Sequence, residues 1–117
     1  DKELQKIVRD AKLGKRLVDK LVKVWLKNGE ETWVYIHIEI QGEHEDAFEK
    51  RVFVYNYRLF DRYNRPIVSL VVLADDRPDW RPAEYQHEQW RCGVRFWFPV
   101  VKLLDYRGRE AELEGDR

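Results

Sequence analysis

Cysteine is scarce in this sequence, and it has no long apolar run. Cys92 is the only cysteine among 117 residues, which excludes an internal disulfide and a cysteine-rich zinc site. No stretch of about 18 apolar residues occurs and the N-terminus does not resemble a signal peptide, so neither a membrane span nor secretion is indicated. The cytoplasm is therefore the default location.

Net charge is also absent, because 22 Lys and Arg balance 22 Asp and Glu. The chain as a whole exerts no general electrostatic pull on nucleic acid, so any DNA binding must be local. The sequence has no phosphate-cradling Gly-rich loop and no nucleophile elbow, and His44 and His87 lack metal-ligand spacing. These absences argue against a nucleoside-triphosphate enzyme and a serine hydrolase.

The apolar content, 44% of the residues, is sufficient for the core of one globular domain over residues 1–117. The chain starts at Asp1 without Met and ends in a polar run, so we expect it to be a truncated piece of a longer protein. Residues 105–117 mix charges without an apolar face, which predicts a frayed, charged tail. A short helix within residues 1–14 is predicted by apolar residues at helical spacing: Leu4, Ile7, Val8 and Ala11.

Residues 16–41 are the most informative stretch, and we predict that they form a β-hairpin. The second arm alternates strictly between polar or aromatic side chains at odd positions and aliphatic side chains at even positions. The first arm fits a helical stripe as well as a strand. Its valines, the Asn28-Gly29 turn signal and the strand that follows favour a strand.

The register of this hairpin decides whether it can form an acidic site, because opposed residues of an antiparallel pair share a face. A loop with an odd number of residues places Asp19 on the face of Glu39 and Gln41, whereas an unbulged four-residue loop places it opposite Ile40. Two carboxylates on adjacent strands are ligands of the kind that Mg²⁺ prefers. Spacing alone, however, favours the alternative that Asp19 and Glu39 are ordinary solvated residues of an amphipathic sheet.

The middle of the chain predicts a β-α-β unit. A helix is expected over residues 45–63, ending at Asn64-Arg65-Pro66. Residues 67–74 form a short apolar run that is typical of a central strand covered on both faces. The predicted fold class is therefore α/β, with the helix crossing over between parallel strands.

The C-terminal third predicts a long connection at 75–92 and a strand at 94–104, with Pro99 indicating an edge or a bulge. The connection is rich in Pro, Arg and aromatic residues. Its Trp and Arg side chains could contact unstacked bases or phosphates. The favoured alternative is that the Trp rings pack the loop against the rest of the domain. The residues concerned are Trp80, Arg81, Trp90 and Arg91.

Arginine recurs along one flank of the predicted helix, at Arg51, Arg58 and Arg62, with Tyr55 between the first two. Such a flank could hold phosphates. The helix directly follows the acidic strand, so the guanidinium of Arg51 could clamp a phosphate. The alternative is that Arg51 pairs with Glu49 or Asp46 or caps the sheet face, while Arg58 and Arg62 are simply solvated.

His37 shares the predicted face of Glu39 and could act as a base or a ligand. The aromatic residues Trp33 and Tyr35 on the same face favour a packed, hydrogen-bonded histidine instead.

Asp19, the run Ile38-Glu39-Ile40-Gln41-Gly42, and then Arg51 and Tyr55 in a following helix resemble the recombination-promoting nuclease/putative transposase family. That family belongs to the PD-(D/E)XK nuclease superfamily. The wider run HIEIQGEHEDAFEKRVFVYNYRLFDRY, followed by a buried strand and LADDRP, extends the resemblance over most of residues 15–105.

The resemblance implies a restriction-endonuclease-like core, a mixed β-sheet in which an N-terminal antiparallel hairpin is followed by a helix and further strands. Asp19 and Glu39 would hold Mg²⁺ or Mn²⁺, with the backbone carbonyl of Ile40 as a third ligand. Gln41 stands where the superfamily usually has its catalytic Lys and would orient the attacking water, although it offers only neutral donors and an acceptor. The substrate-binding residues would be Arg51, Tyr55 and Arg58.

The function implied by the resemblance is metal-dependent endonucleolytic hydrolysis of DNA phosphodiesters, with DNA as the partner and no membrane. A homo-oligomer is compatible with the sequence. The rival hypothesis is a non-catalytic module that keeps the nuclease fold and binds nucleic acid or a protein.

Overall fold

A computed structural model of the protein describes residues 16–107, and from Lys20 onward it also describes the side chains. The predicted helix within residues 1–14 and residues 108–117 of the predicted tail lie outside this range. Of the predicted tail, residues 105 and 106 lie in a short 3-10 helix, Leu103–Tyr106.

The predicted hairpin is present, and its ambiguous first arm is a strand. β1 is Arg16–Trp25 and β2 is Glu31–Gln41. Between them the backbone N–H of Glu30 donates to Asn28 Oδ1 at 2.9 Å, and Gly29 has φ +90°, a conformation that glycine adopts without steric cost. The Asn-Gly signal therefore marked the turn correctly.

One α-helix, α1 (Phe48–Tyr63), follows β2. It begins three residues later than predicted, after Ala47 in the left-handed region, and it ends at Asn64, whose N–H donates to the Phe60 carbonyl at 2.8 Å. Pro66 cannot continue the helix. The buried residues of α1 lie on one side of it: Phe48, Val52 and Leu59.

The main sheet has four strands in the order β1-β2-β3-β6, where β3 is Ile67–Leu73 and β6 is Val100–Lys102. β1 and β2 are antiparallel, whereas β2, β3 and β6 are mutually parallel. The crossover between β2 and β3 runs through α1. The prediction of an α/β protein with a mixed sheet and an N-terminal hairpin is confirmed at this level.

The predicted organisation of the C-terminal third is wrong in two places. Residues 84–92 are not a loop, because β4 (Glu84–Gln89) and β5 (Cys92–Trp97) form a second, two-stranded antiparallel sheet. The predicted strand at 94–104 is divided between this hairpin and β6. Pro99 separates the two strands, and its carbonyl accepts from the Val71 N–H at 3.0 Å.

The hydrophobic core lies between α1 and one face of the main sheet. Its buried members are Phe48, Val52, Val71, Leu73 and Phe98. A smaller cluster of Ile40 and Val72 lies on the opposite face. Each such side chain contributes about 1.5–3 kcal/mol when fully buried, so this packing fixes α1 over the odd-numbered residues of β2. Within residues 16–107, no helix is sufficiently long and apolar to cross a bilayer.

Candidate active site

The hairpin register brings the position of Asp19 to the face that carries Glu39. Asp19 pairs with His37, and Leu17 pairs with Glu39. The five residues between β1 and β2 are the odd-numbered loop that this geometry requires. Position 19 is therefore the diagonal neighbour of Glu39 on one sheet face, about 7–8 Å away in a regular antiparallel pair.

Glu39 is buried beneath α1 and is not a solvated surface residue. Its side chain is 1% exposed, and Arg51 donates from Nη2 to Glu39 Oε2. The same Nη2 donates to Gln41 Oε1 at 3.0 Å, and Nη1 lies 2.9 Å from Glu45 Oε1. One guanidinium therefore links the acidic strand to the loop before the helix. Arg51 does not choose the local partners Glu49 or Asp46 in this structure.

Gln41 is 5% exposed, and both ends of its amide are engaged. The oxygen accepts from Arg51, while Nε2 donates to the Glu43 carbonyl at 2.9 Å and to Glu45 Oε1 at 3.2 Å. These contacts fix the orientation of the amide. Gln41 therefore holds Arg51 in place. Both Nε2 hydrogens are used, whereas the amide oxygen keeps a second lone pair.

His37 is fully buried, and the prediction of a packed, hydrogen-bonded histidine is confirmed. Its Nδ1 lies 2.8 Å from Ser69 Oγ, and its ring stacks on Tyr55 with centroids 4.3 Å apart. Asn56 Nδ2 donates to the same hydroxyl at 3.0 Å. On the other side of the ring, Nε2 lies 3.6 Å from Glu39 Oε1, so His37 connects the carboxylate to a buried polar network.

Sequence reasoning missed Ser69, Asn56 and Glu45 as members of this cluster. The sequence does indicate Ser69, since it is the one polar residue inside the apolar run of β3. The signal for Asn56 is weaker, because it follows Tyr55 on the inner side of α1. Glu45 precedes the helix in a run of charges, where nothing distinguished it from its neighbours.

The other predicted substrate-binding residues divide into two groups. Tyr55 lies at the site through its stack on His37, whereas Arg58 is exposed. Arg62 is also exposed, and its guanidinium lies over the Tyr63 ring at 5.3 Å from the centroid. The structure therefore brings Arg51 and Tyr55 to Glu39 and leaves Arg58 and Arg62 on the outer surface of α1.

A cavity of about 390 Å³ opens where β2 and β3 end, lined by residues 42–44 and 74–77. Glu43 and Asp76 line it together with Arg77, and Asp75 is neutralised by Lys102, so the lining is not basic. A phosphate is disfavoured there by like charge.

The donor set around Glu39 suits a hard cation, with a buried carboxylate, an amide oxygen and the position of a second carboxylate at Asp19. Among the side chains described from Lys20 to Arg107, no three His, Cys, Asp or Glu residues are grouped to hold a metal ion. The positive charge beside Glu39 is that of Arg51. A metal site here requires Asp19 together with Glu39, and Arg51 must yield one carboxylate oxygen.

Comparisons of the chain with protein-family models, with curated proteins and with solved structures found no match.

Proposed function

We propose that this protein is a metal-dependent DNA endonuclease of the PD-(D/E)XK type, built on a restriction-endonuclease-like core. The observation that carries the proposal is the hairpin register, in which Asp19 pairs with His37 and so shares a face with Glu39. The ion pair between Glu39 and Arg51 of α1, the helix that follows the acidic strand, supports it further. The resemblance of these same residues to the recombination-promoting nuclease family supplies the reaction. We assign this activity to the cytoplasm.

Asp19 and Glu39 would hold Mg²⁺ or Mn²⁺, with the Ile40 carbonyl as a further oxygen. β2 is paired with a strand on each side at Ile40, so one lone pair of the Ile40 carbonyl is used in the sheet. A cation would bind through the second lone pair. When bound, the ion supplies Lewis-acid polarisation of the phosphate and activation of a water molecule.

Hydrolysis forms a bond from the water oxygen to phosphorus and breaks one phosphorus–oxygen ester bond, whose alcohol leaves with a proton. The chain's own contribution is positioning. Arg51 is held from two sides by Gln41 and Glu45, so it stays beside the site when Glu39 turns to another cation. Its fork can then pair with the non-bridging oxygens of the scissile phosphate. The Gln41 amide oxygen would orient the attacking water by accepting a hydrogen bond from it through its second lone pair.

The test is cleavage of supercoiled plasmid in Mg²⁺ or Mn²⁺ by the parent and by matched variants. Glu39→Gln keeps an acceptor for Arg51, and Asp19→Asn keeps the shape of the side chain, so neither should unfold the protein. Glu31→Gln is the control, because Glu31 is a carboxylate of the same strand with its side chain 53% exposed. We expect cleavage by the parent and the control, and loss of at least about a hundredfold in both site variants.

A second candidate function is favoured by the ion pair of Arg51 with Glu39. In this alternative the guanidinium permanently takes the place of the metal, and the domain binds nucleic acid or protein without catalysis. Calorimetric titration with Mn²⁺ separates the two functions. Absence of both Mn²⁺ binding and plasmid cleavage in a folded parent would favour the non-catalytic module.

A further inference from the structure

The tip of the β4–β5 hairpin has an unusual backbone. Gln89 pairs with Cys92, so Trp90 and Arg91 form a two-residue turn, and both have positive φ, 52° and 68°. Turns of this kind normally use Asn-Gly or Asp-Gly, because a residue with a bulky side chain is strained in the left-handed region. Trp followed by Arg is a costly choice at these positions.

Burial does not repay this strain. Trp90 is 92% exposed, more than any other exposed large hydrophobic residue in the part of the chain that the structure describes. Arg91 beside it is exposed as well. Strained backbone that persists without a packing benefit is characteristic of sites that serve function.

The β4–β5 hairpin that carries this tip is held against α1 by aromatic packing. On the side toward α1, the Tyr85 ring stacks on Phe53 at 5.1 Å, and Phe96 lies 5.6 Å from the same ring. On the outer side, Arg95 Nε lies 3.0 Å from Glu84 Oε1 and its guanidinium lies over Trp97 at 4.8 Å. The indole of Trp90 is therefore presented at the end of a fixed support, so little further ordering is needed on binding.

We propose that the Trp90-Arg91 tip is a contact for single-stranded nucleic acid. The Trp90 indole stacks on one unpaired base, and the Arg91 guanidinium pairs with a neighbouring phosphate. This contact is separate from the acidic cluster and does not depend on whether that cluster cleaves DNA.

The surroundings of Trp90 favour a base over a protein partner. A protein interface places its Trp anchor inside a buried apolar core, whereas the residues beside the tip are polar or small: Glu88, Gln89, Cys92 and Gly93. The other exposed indole of the hairpin, Trp97, ends β5, about 20 Å away along the strand. Stacking on a base needs one accessible ring and no apolar surround. Because Glu88 offsets Arg91, stacking supplies most of the affinity and its salt dependence is shallow.

The experiment measures fluorescence anisotropy of a labelled 12-nucleotide oligo-dT with the full chain in EDTA, where metal-dependent cleavage cannot contribute. Trp90→Ala should weaken binding about tenfold or more. Arg91→Gln should lower the slope of log K against log salt by about 0.7. Trp25→Ala is the control, since Trp25 is another exposed indole, 67% exposed, on β1, and it should bind as the parent does.

A paired substitution separates function from fold. Trp90→Asn together with Arg91→Gly introduces the turn sequence that this backbone favours, so the Tm should rise by about 2–6 °C while oligo-dT binding falls as in Trp90→Ala. Failure of the parent to bind, or equal binding by the parent and all tip variants, would overturn the proposal. In that case a protein partner would be the remaining explanation of the exposed tip.

Discussion

Two ion pairs with buried carboxylates lie on the same face of the main sheet. They differ in the burial of the cation and in the number of its partners. Lys102 Nζ donates to Asp75 Oδ1 at 2.7 Å and to the Trp80 carbonyl at 3.0 Å, and both charged side chains are 2% exposed. The other Asp75 oxygen accepts from the Arg77 N–H at 2.9 Å. Both Asp75 oxygens therefore have a donor and both charges are shielded from solvent, so this pair is closed.

The cation of the Arg51 cluster is shared among more side chains, and is less buried, than that of the Lys102 pair. One guanidinium serves Glu39, Gln41 and Glu45, and its own side chain is 28% exposed. Arg51 Nε is buried without a hydrogen-bond partner in the described structure. A partly exposed guanidinium with an unused N–H can exchange partners, whereas the closed pair can only break. The Lys102 pair therefore holds β6 to the loop after β3, whereas the Arg51 cluster joins β2 to α1 and to the loop before it through a partly exposed guanidinium.

Breaking the closed pair should have the largest effect on stability. Lys102→Met leaves the Asp75 carboxylate buried without its cation, so the free energy of unfolding should fall by about 3–5 kcal/mol. Urea denaturation at pH 7 measures the loss. Adding Asp75→Asn removes the stranded charge but keeps the acceptor for Arg77, and should restore much of the stability. A loss below about 1 kcal/mol in the single variant would show that the pair is not buried in solution.

Breaking the shared cluster should reduce stability less, and it tests the proposed metal site. Arg51→Met strands Glu39, but the partial exposure of Arg51 limits the loss to about 2–3 kcal/mol. Because the resident cation is gone, millimolar Mg²⁺ should raise the Tm of Arg51→Met more than that of the parent. Lys102→Met should show no such rescue.

Arg58→Met is the matched control for that experiment, since Arg58 is an exposed arginine of the same helix. Its stability and its response to Mg²⁺ should equal those of the parent. Equal Mg²⁺ responses of the parent and Arg51→Met would count against a metal site at Glu39 and would favour the non-catalytic module.

Local elements of this fold could be predicted from the sequence, whereas the partners in the two ion pairs could not. The hairpin, the helix and the buried strand follow from period-two alternation, the Asn-Gly turn and an unbroken apolar run, all of which are local signals. The β4–β5 hairpin was missed because Trp90-Arg91 carries no turn signal. The partners of Arg51 were missed because they depend on how α1 packs back over β2, and those of Lys102 because they depend on β6 lying beside β3. No local pattern records either arrangement.

Removing the Ser69 hydroxyl that contacts His37 should have an intermediate effect on stability. Ser69→Ala removes the hydroxyl that contacts both His37 Nδ1 and Asn56 Nδ2, and Ser69 is only 3% exposed. The free energy of unfolding should fall by about 1–2 kcal/mol, as expected when buried polar groups lose a partner. Urea denaturation gives the value, and the imidazole signals in NMR spectra report whether the ring moves. An unchanged stability would mean that water replaces the hydroxyl and that the network is as adaptable as the Arg51 cluster.

The smallest effect is expected at a third ion pair, which lies on the surface. Arg81 donates two hydrogen bonds to Asp105, at 2.7 and 2.8 Å, and this hydrogen bonding lowers the pKa of Asp105 below its ordinary value of 3.8. A carboxyl whose pKa is lower in the folded state stabilises the fold above its unfolded pKa, and that contribution disappears as the pH falls through its folded pKa. Arg81→Gln should therefore lower the Tm by about 1–3 °C at pH 7, and its difference from the parent should shrink as the pH falls below 3.8 and the Asp105 carboxyl becomes protonated. Arg77→Gln, an exposed arginine of the same loop, controls for the change in net charge. If the Arg81→Gln difference persisted undiminished at low pH, packing of the arginine stem and not its charge would account for it.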